Sequence, residues 1–286
     1  MNLIKDALFE RGFNILGTDK LKTGMTPVHK FDFFGRAIGE PVWRIAQWGS
    51  KHDLSKGNFR VENGVDVYSD NSKTFKCKMG SGAVSLEILA SKDYERPRKR
   101  GEVWPHLLIA QDFFNDIHFL SELKHVKFQM EFHVDFLRSY MGQGEFDEAL
   151  HGVQFVWFVT VQNWNKNSKD FGNYFWFGVP LYDSRYGIPK IVRQKDNGKN
   201  DSTHKYIYSI DATQYLSKDP LGAGNISFEI DVLDQIKSAF SEVKELGYLE
   251  NTEFSDLSFG SMNTGLEMPG TYDLKVGIEK IAIDIE

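Results

Sequence analysis

Residues 125–136 read HVKFQMEFHVDF, in which Val126, Phe128, Met130, Phe132, Val134 and Phe136 alternate with His125, Lys127, Gln129, Glu131, His133 and Asp135. Six apolar positions at period two fit only an extended strand with one face in a core and the other in water or a cleft. The C-terminal stretch has the same pattern with one break. Tyr272, Leu274, Val276 and Ile278 are in phase, and Ile281, Ile283 and Ile285 are in the opposite phase. An extra residue at Glu279–Lys280 is what a β-bulge supplies.

Further strands are expected over 42–48, 83–90, 103–111, 153–162, 173–181, 204–211, 226–232 and 271–285. They are separated by stretches rich in Gly, Asn, Asp, Ser and Lys such as SKGNFRVENG and RQKDNGKNDS. Two helices interrupt them. One is short, over 3–11, with Leu3, Ile4, Ala7 and Leu8 on one side and Gly12 as its stop. The other runs over 231–247, with Leu233, Ile236, Phe240, Val243 and Leu246 on one face and Gly247 as its cap. Strands scattered through the whole chain, without strand–helix alternation, argue against a parallel α/β sheet. The expected fold is all-β: one antiparallel β-sandwich domain of the jelly-roll type over 1–286, decorated by the two helices.

A net charge of −6 gives nucleic acid no general attraction. No apolar run approaches the length of a membrane span. The single Cys77 excludes an intrachain disulfide and suits a reducing compartment. The first residues, MNLIKDALFERGF, lack the apolar run of a secretory signal. The expected location is therefore cytoplasmic, or secreted if a leader was removed. There is no P-loop, Rossmann fingerprint, G-x-S-x-G or H-E-x-x-H. One cysteine excludes multi-thiolate zinc, and His125 and His133 stand roughly 26 Å apart along their strand. No cofactor or metal ligand set is expected, and a structural calcium ion is left open. The unusual feature is 23 Phe, 11 Tyr and 6 Trp, 14% of the chain. Such residues fill β cores, and they also present flat surfaces to pyranose rings.

Four clusters carry candidate chemistry. In RPRKRGEVWPH, Arg96, Arg98 and Glu102 precede a strand on which Trp104 and His106 share a face. An arginine fork binds a carboxylate or sulfate bidentately, and the alternative is a solvated basic turn. In HGVQFVWFVTVQNWN, His151 and Gln154 open a strand, and Gln162, Asn163 and Trp164 close it. These are amides for vicinal hydroxyls and a ring for stacking, or turn builders. In FGVPLYDSRYG, Tyr182 and Arg185 sit where a strand meets a loop. Glu267 lies between Gly265 and Gly270 before the last strand, as a ligand clamp or a turn residue. Glu131 is the other carboxylate on a polar strand face. Facing each other, Glu131 and Glu267 would make a glycosidase pair.

Three of these segments, RPRKRGE, HGVQF and FGVPLY, resemble in chain order the alginate-lyase-like jelly-roll polysaccharide lyases. The resemblance covers three short patches of the 286 residues. It implies substrate binding by Arg96, Arg98 and Glu102, neutralisation of the substrate carboxylate by Gln154, and proton transfer by His151 and Tyr182 in β-elimination from an acidic sugar. Three functions are thus expected as alternatives: a lyase, a two-carboxylate glycoside hydrolase, or a non-catalytic carbohydrate-binding protein. The partner in each is a carbohydrate.

Overall fold

The computed structural model describes residues 1–286. Its sixteen strands are β1 Phe13–Leu16, β2 Pro27–Phe31, β3 Trp43–Ala46, β4 Asn58–Glu62, β5 Val65–Ser69, β6 Lys73–Lys78, β7 Ala83–Leu89, β8 His106–Asp112, β9 Val126–Ser139, β10 Gln154–Asn163, β11 Tyr174–Asp183, β12 Arg193–Lys195, β13 Tyr206–Ser209, β14 Ile226–Asp231, β15 Leu257–Glu267 and β16 Tyr272–Ile285. Nine of them form one sheet in the order β12-β13-β11-β10-β15-β8-β3-β1-β2. The other seven form a second sheet in the order β14-β9-β16-β7-β6-β5-β4. Pairing is antiparallel except for β1 with β3 and β11 with β13. The architecture is a β-sandwich of the jelly-roll type.

The alternation of residues 125–136 works as period two requires. Val126, Phe128, Met130, Phe132 and Val134 on β9 are buried and face the other sheet, with the ring centroids of Phe128 and of Trp157 on β10 4.6 Å apart. Phe136 does not follow them. The β9–β16 register shifts between Lys275 and Val276, which rotates Phe136 out of phase and leaves it exposed. The same pair shifts again between Ile278 and Lys280, at the break in the C-terminal pattern.

The expected N-terminal helix does not form. Leu3 donates to the carbonyl of Ile283, and the Asp6 carboxylate accepts the backbone N–H of Glu10 and of Arg11. A side-chain acceptor that captures nearby amides competes with helix formation. Leu3, Ile4 and Phe9 are all buried, more apolar contact than one face of a surface helix delivers. The second helix is present as α3, Leu233–Glu245, after two one-turn helices, α1 Lys20–Thr23 and α2 Ala90–Asp93. Ile236, Ala239, Phe240 and Val243 bury its apolar face, while Leu246 lies beyond its end and is exposed. No helix is long and apolar enough to cross a membrane.

Candidate functional site

Period two also decides what lies on the outer face of the nine-stranded sheet. On β10 the residues Phe155, Trp157, Val159 and Val161 are buried in the core, so Gln154, Val156, Phe158, Thr160 and Gln162 point away from it. Cross-strand register extends this face to both sides. Gln154 stands opposite Asp183 of β11 and opposite Glu267 of β15, and Glu267 stands opposite His106 of β8. One row across four strands therefore reads Asp183, Gln154, Glu267, His106. Further along the face Phe158 and Trp176 are in edge contact at 6.1 Å, as are Tyr174 and Trp176 at 5.4 Å, and all three are half-buried.

Glu267 is the chemical centre of the row. It closes β15, a strand the sequence pattern does not announce, because Gly260, Gly265 and four hydroxyl or amide residues dilute the alternation. Its Oε2 accepts the Trp104 indole N–H at 3.0 Å and lies 3.6 Å from His106 Nε2. The Trp104 and His106 rings stack at 5.8 Å, and Trp48 meets His106 edge-on at 6.2 Å. Lys199, from the loop between β12 and β13, places its Nζ 2.8 Å from His106 Nε2 and 4.4 Å over the Trp104 ring. An ammonium only donates, so Nε2 accepts. Nδ1 carries the proton and donates to the Trp48 carbonyl at 3.1 Å. His106 is thus neutral, in line with burial and the Lys199 charge depressing its proton affinity. Burial alone would raise the Glu267 carboxyl. The Lys199 ammonium and the Trp104 N–H oppose it and keep the group below its ordinary value. Glu267 is an ionised acceptor at neutral pH, with a fifth of its side chain still open to solvent (21%).

The other candidates divide between this site and purely structural work. Arg98 is buried, and its guanidinium donates to the carbonyls of Lys99, Glu102, Leu150 and Pro269 while lying 4.8 Å over Trp104. It supports the ring and has no fork to offer an anion. Arg96 spends its fork on Glu102 at 2.6 and 3.0 Å on the surface. His151 accepts the Asp147 N–H at Nδ1 and faces the Arg98 carbonyl with Nε2 at 2.8 Å, so both nitrogens hold backbone. Tyr182 is buried on the core side, where burial raises its hydroxyl well above the ordinary value. Neither group can reach a substrate proton, which removes the basis for β-elimination. Arg185 clamps Asp183 through Nε at 2.8 Å and Nη2 at 2.6 Å, and Gln154 donates to the same carboxylate at 3.0 Å. Asn163 builds a turn, donating to Ser168 and Thr252 and accepting from Asn165. Gln162 lies on the outer face near the far end of β10. Trp164, just beyond it, packs between Phe114 and Phe171 at 5.6 and 6.5 Å. Glu131 accepts from Asn225 on the outer face of the seven-stranded sheet. It points away from Glu267 across the whole sandwich, so the two cannot flank one bond.

Trp104, His106, Gln154 and Glu267 are therefore brought together, with Arg98 behind them. Lys199, with Asp201 3.7 Å from its Nζ, and Trp48 also stand there and are not among the residues the sequence pattern singles out. Lys199 and Asp201 lie in RQKDNGKNDS, whose composition signals only a turn, and Trp48 is one of many aromatics. No group of three or more His, Cys, Asp or Glu side chains has the arrangement of a metal site.

No protein-family model matches the chain, and no curated protein does. Among solved structures it is similar to a family 12 xyloglucanase from Bacillus licheniformis, over 82% of this chain and 99% of that one, at 10% identity and TM-score 0.45. It is also similar to the family 11 xylanase from Neocallimastix patriciarum, over 80% and 95%, at 12% identity and TM-score 0.43. A third likeness is to endoglucanase Cel12A from Rhodothermus marinus, over 81% and 96%, at 10% identity and TM-score 0.41. At these identities and TM-scores the likeness carries no reading of activity, substrate or mechanism.

Proposed function

We propose that this chain recognises carbohydrate on the outer face of its nine-stranded sheet, with Glu267 as the acceptor for sugar hydroxyls. The observation that carries this reading is an ionised, partly open carboxylate buttressed by Trp104 and His106 on a sheet face of half-buried aromatic rings. Saccharide sites combine flat apolar surface with a few oriented polar groups, and Gln154 lies one strand away from the carboxylate. Isothermal titration with xylo-, cello- and uronate-containing oligosaccharides tests it. Binding to at least one series is expected, with a loss of tenfold or more, about 1.4 kcal/mol, in Glu267→Gln. Absence of binding across all series would sink the reading.

Hydrolysis stands second, favoured by one observation: Asp183 shares the row with Glu267, two strands away, roughly 10 Å between backbones. Paired carboxylates across such a span can flank a glycosidic bond. Against it, Asp183 is saturated by Arg185 and Gln154, and a Glu267 kept below the ordinary carboxyl value is no proton donor near neutrality. Release of reducing ends from a bound oligosaccharide, abolished in both Glu267→Gln and Asp183→Asn, would put hydrolysis first.

A further inference from the structure

The loop that brings Lys199 to His106 does not belong to the strands it touches. It leaves β12 and returns in β13, at one edge of the sheet, while His106 is on β8 near its middle. Five strand spacings of a flat sheet are about 24 Å, and four residues of backbone reach about 14 Å. The long Lys199 side chain and the twist of the sheet close the difference. Residues 196–205 thus lie as a strap across the aromatic face. Its base is firm. The Asp196 carboxylate accepts from the Thr203 N–H and hydroxyl, Asp196 N–H donates to Lys205 O, and Trp176 Nε1 donates to Thr203 Oγ1 at 3.0 Å. Its tip is held by Lys199, through the contact with His106 and a short backbone bridge to Gly101.

The closed tip is not a comfortable arrangement. Lys199 and Asp201 are both about nine-tenths buried, yet their charges meet only at 3.7 Å, and Asp201 Oδ1 has no hydrogen-bond donor. Burial weakens the hold of Lys199 on its proton, and the Lys20 charge adds to this, although Glu267 and Asp201 oppose it. Buried charges that are incompletely paired cost stability, so a strap fastened in this way is poised to open locally. The Lys199 ammonium also occupies a face of the Trp104 ring, where a pyranose would stack, and Arg98 is already on that ring.

We propose that residues 196–205 are a gate, latched by Lys199, that must lift from Trp104 and His106 before a saccharide can stack there and reach Glu267. The proposal rests on the ligand face assigned above and adds an order of events: opening precedes binding. Two variants test it, Lys199→Met, which keeps length and removes charge, and a chain with residues 198–202 replaced by Gly-Gly. The readouts are hydrogen exchange of strap amides without ligand and stopped-flow association with an oligosaccharide that the parent binds. Strap exchange in Lys199→Met is expected to rise about tenfold, and association in both variants to quicken about five- to tenfold. Parent-like exchange in Lys199→Met, or parent-like association in the shortened chain, overturns the gate and leaves the ligand face standing. If the parent binds no oligosaccharide, the ligand face itself fails and takes the gate with it.

Discussion

Arg96 and Arg98 are two positions apart and do opposite things. Arg98 donates to four carbonyls from three separate segments and is buried, so its removal leaves acceptors without donors. Arg98→Met is expected to cost about 3 kcal/mol or more in urea unfolding. Arg96 holds only an exposed ion pair with Glu102, and Arg96→Ala is expected to leave the urea midpoint close to the parent's. The cluster RPRKR was visible as charge, but charge does not say which member is buried; that depends on where Leu150 and Pro269 fall. Glu267 yields a pH prediction. Its carboxyl in the folded chain lies below the ordinary 4.5, so its ionised form stabilises the fold above pH 4.5, and that contribution is lost as pH falls below 4.5 through the folded value. Melting temperature over this window is expected to fall more steeply in the parent than in Glu267→Gln. Parallel curves would show that the carboxylate is not held low.

At the scale of elements, β15 matters most, since it delivers Glu267 and hides itself in the sequence. Gly265 has φ +144°, and a Cβ there would stand 2.3 Å from the Leu107 carbonyl oxygen. Gly265→Ala is therefore expected to lose about 2 kcal/mol or more of stability and, with Glu267 two residues on, saccharide binding as well. Denaturant midpoints and titration of the folded variant check both parts. Strands with clean alternation, β9 and β16 above all, were legible because burial on one face imposes period two. Residues 3–11 misled because their apolar spacing suits a helix, while Asp6 and pairing with β16 offer the backbone other partners. The strap 196–205 was legible as a turn and not as part of a site, because turn composition carries no information about what the turn lies over.

At the scale of the whole molecule, Trp157 of one sheet packs on Phe128 of the other, and the apolar face of α3 joins the same core. We expect one cooperative unit, with far- and near-ultraviolet circular dichroism transitions coinciding. Trp157→Ala, which empties a fully buried site between the sheets, is expected to cost about 3–5 kcal/mol. Two separated transitions would overturn the single domain. The amino-acid order by itself determined that this chain builds strands and which of their faces are buried, because these follow from alternation over a few neighbouring residues. Only the tertiary structure decided which polar groups meet. Trp104 and Glu267 are 163 positions apart and touch because β15 pairs with β8, while Glu131, on an equally polar strand face, went to the opposite side of the sandwich. Strand order is set by the packing of the whole core, and no local pattern encodes it.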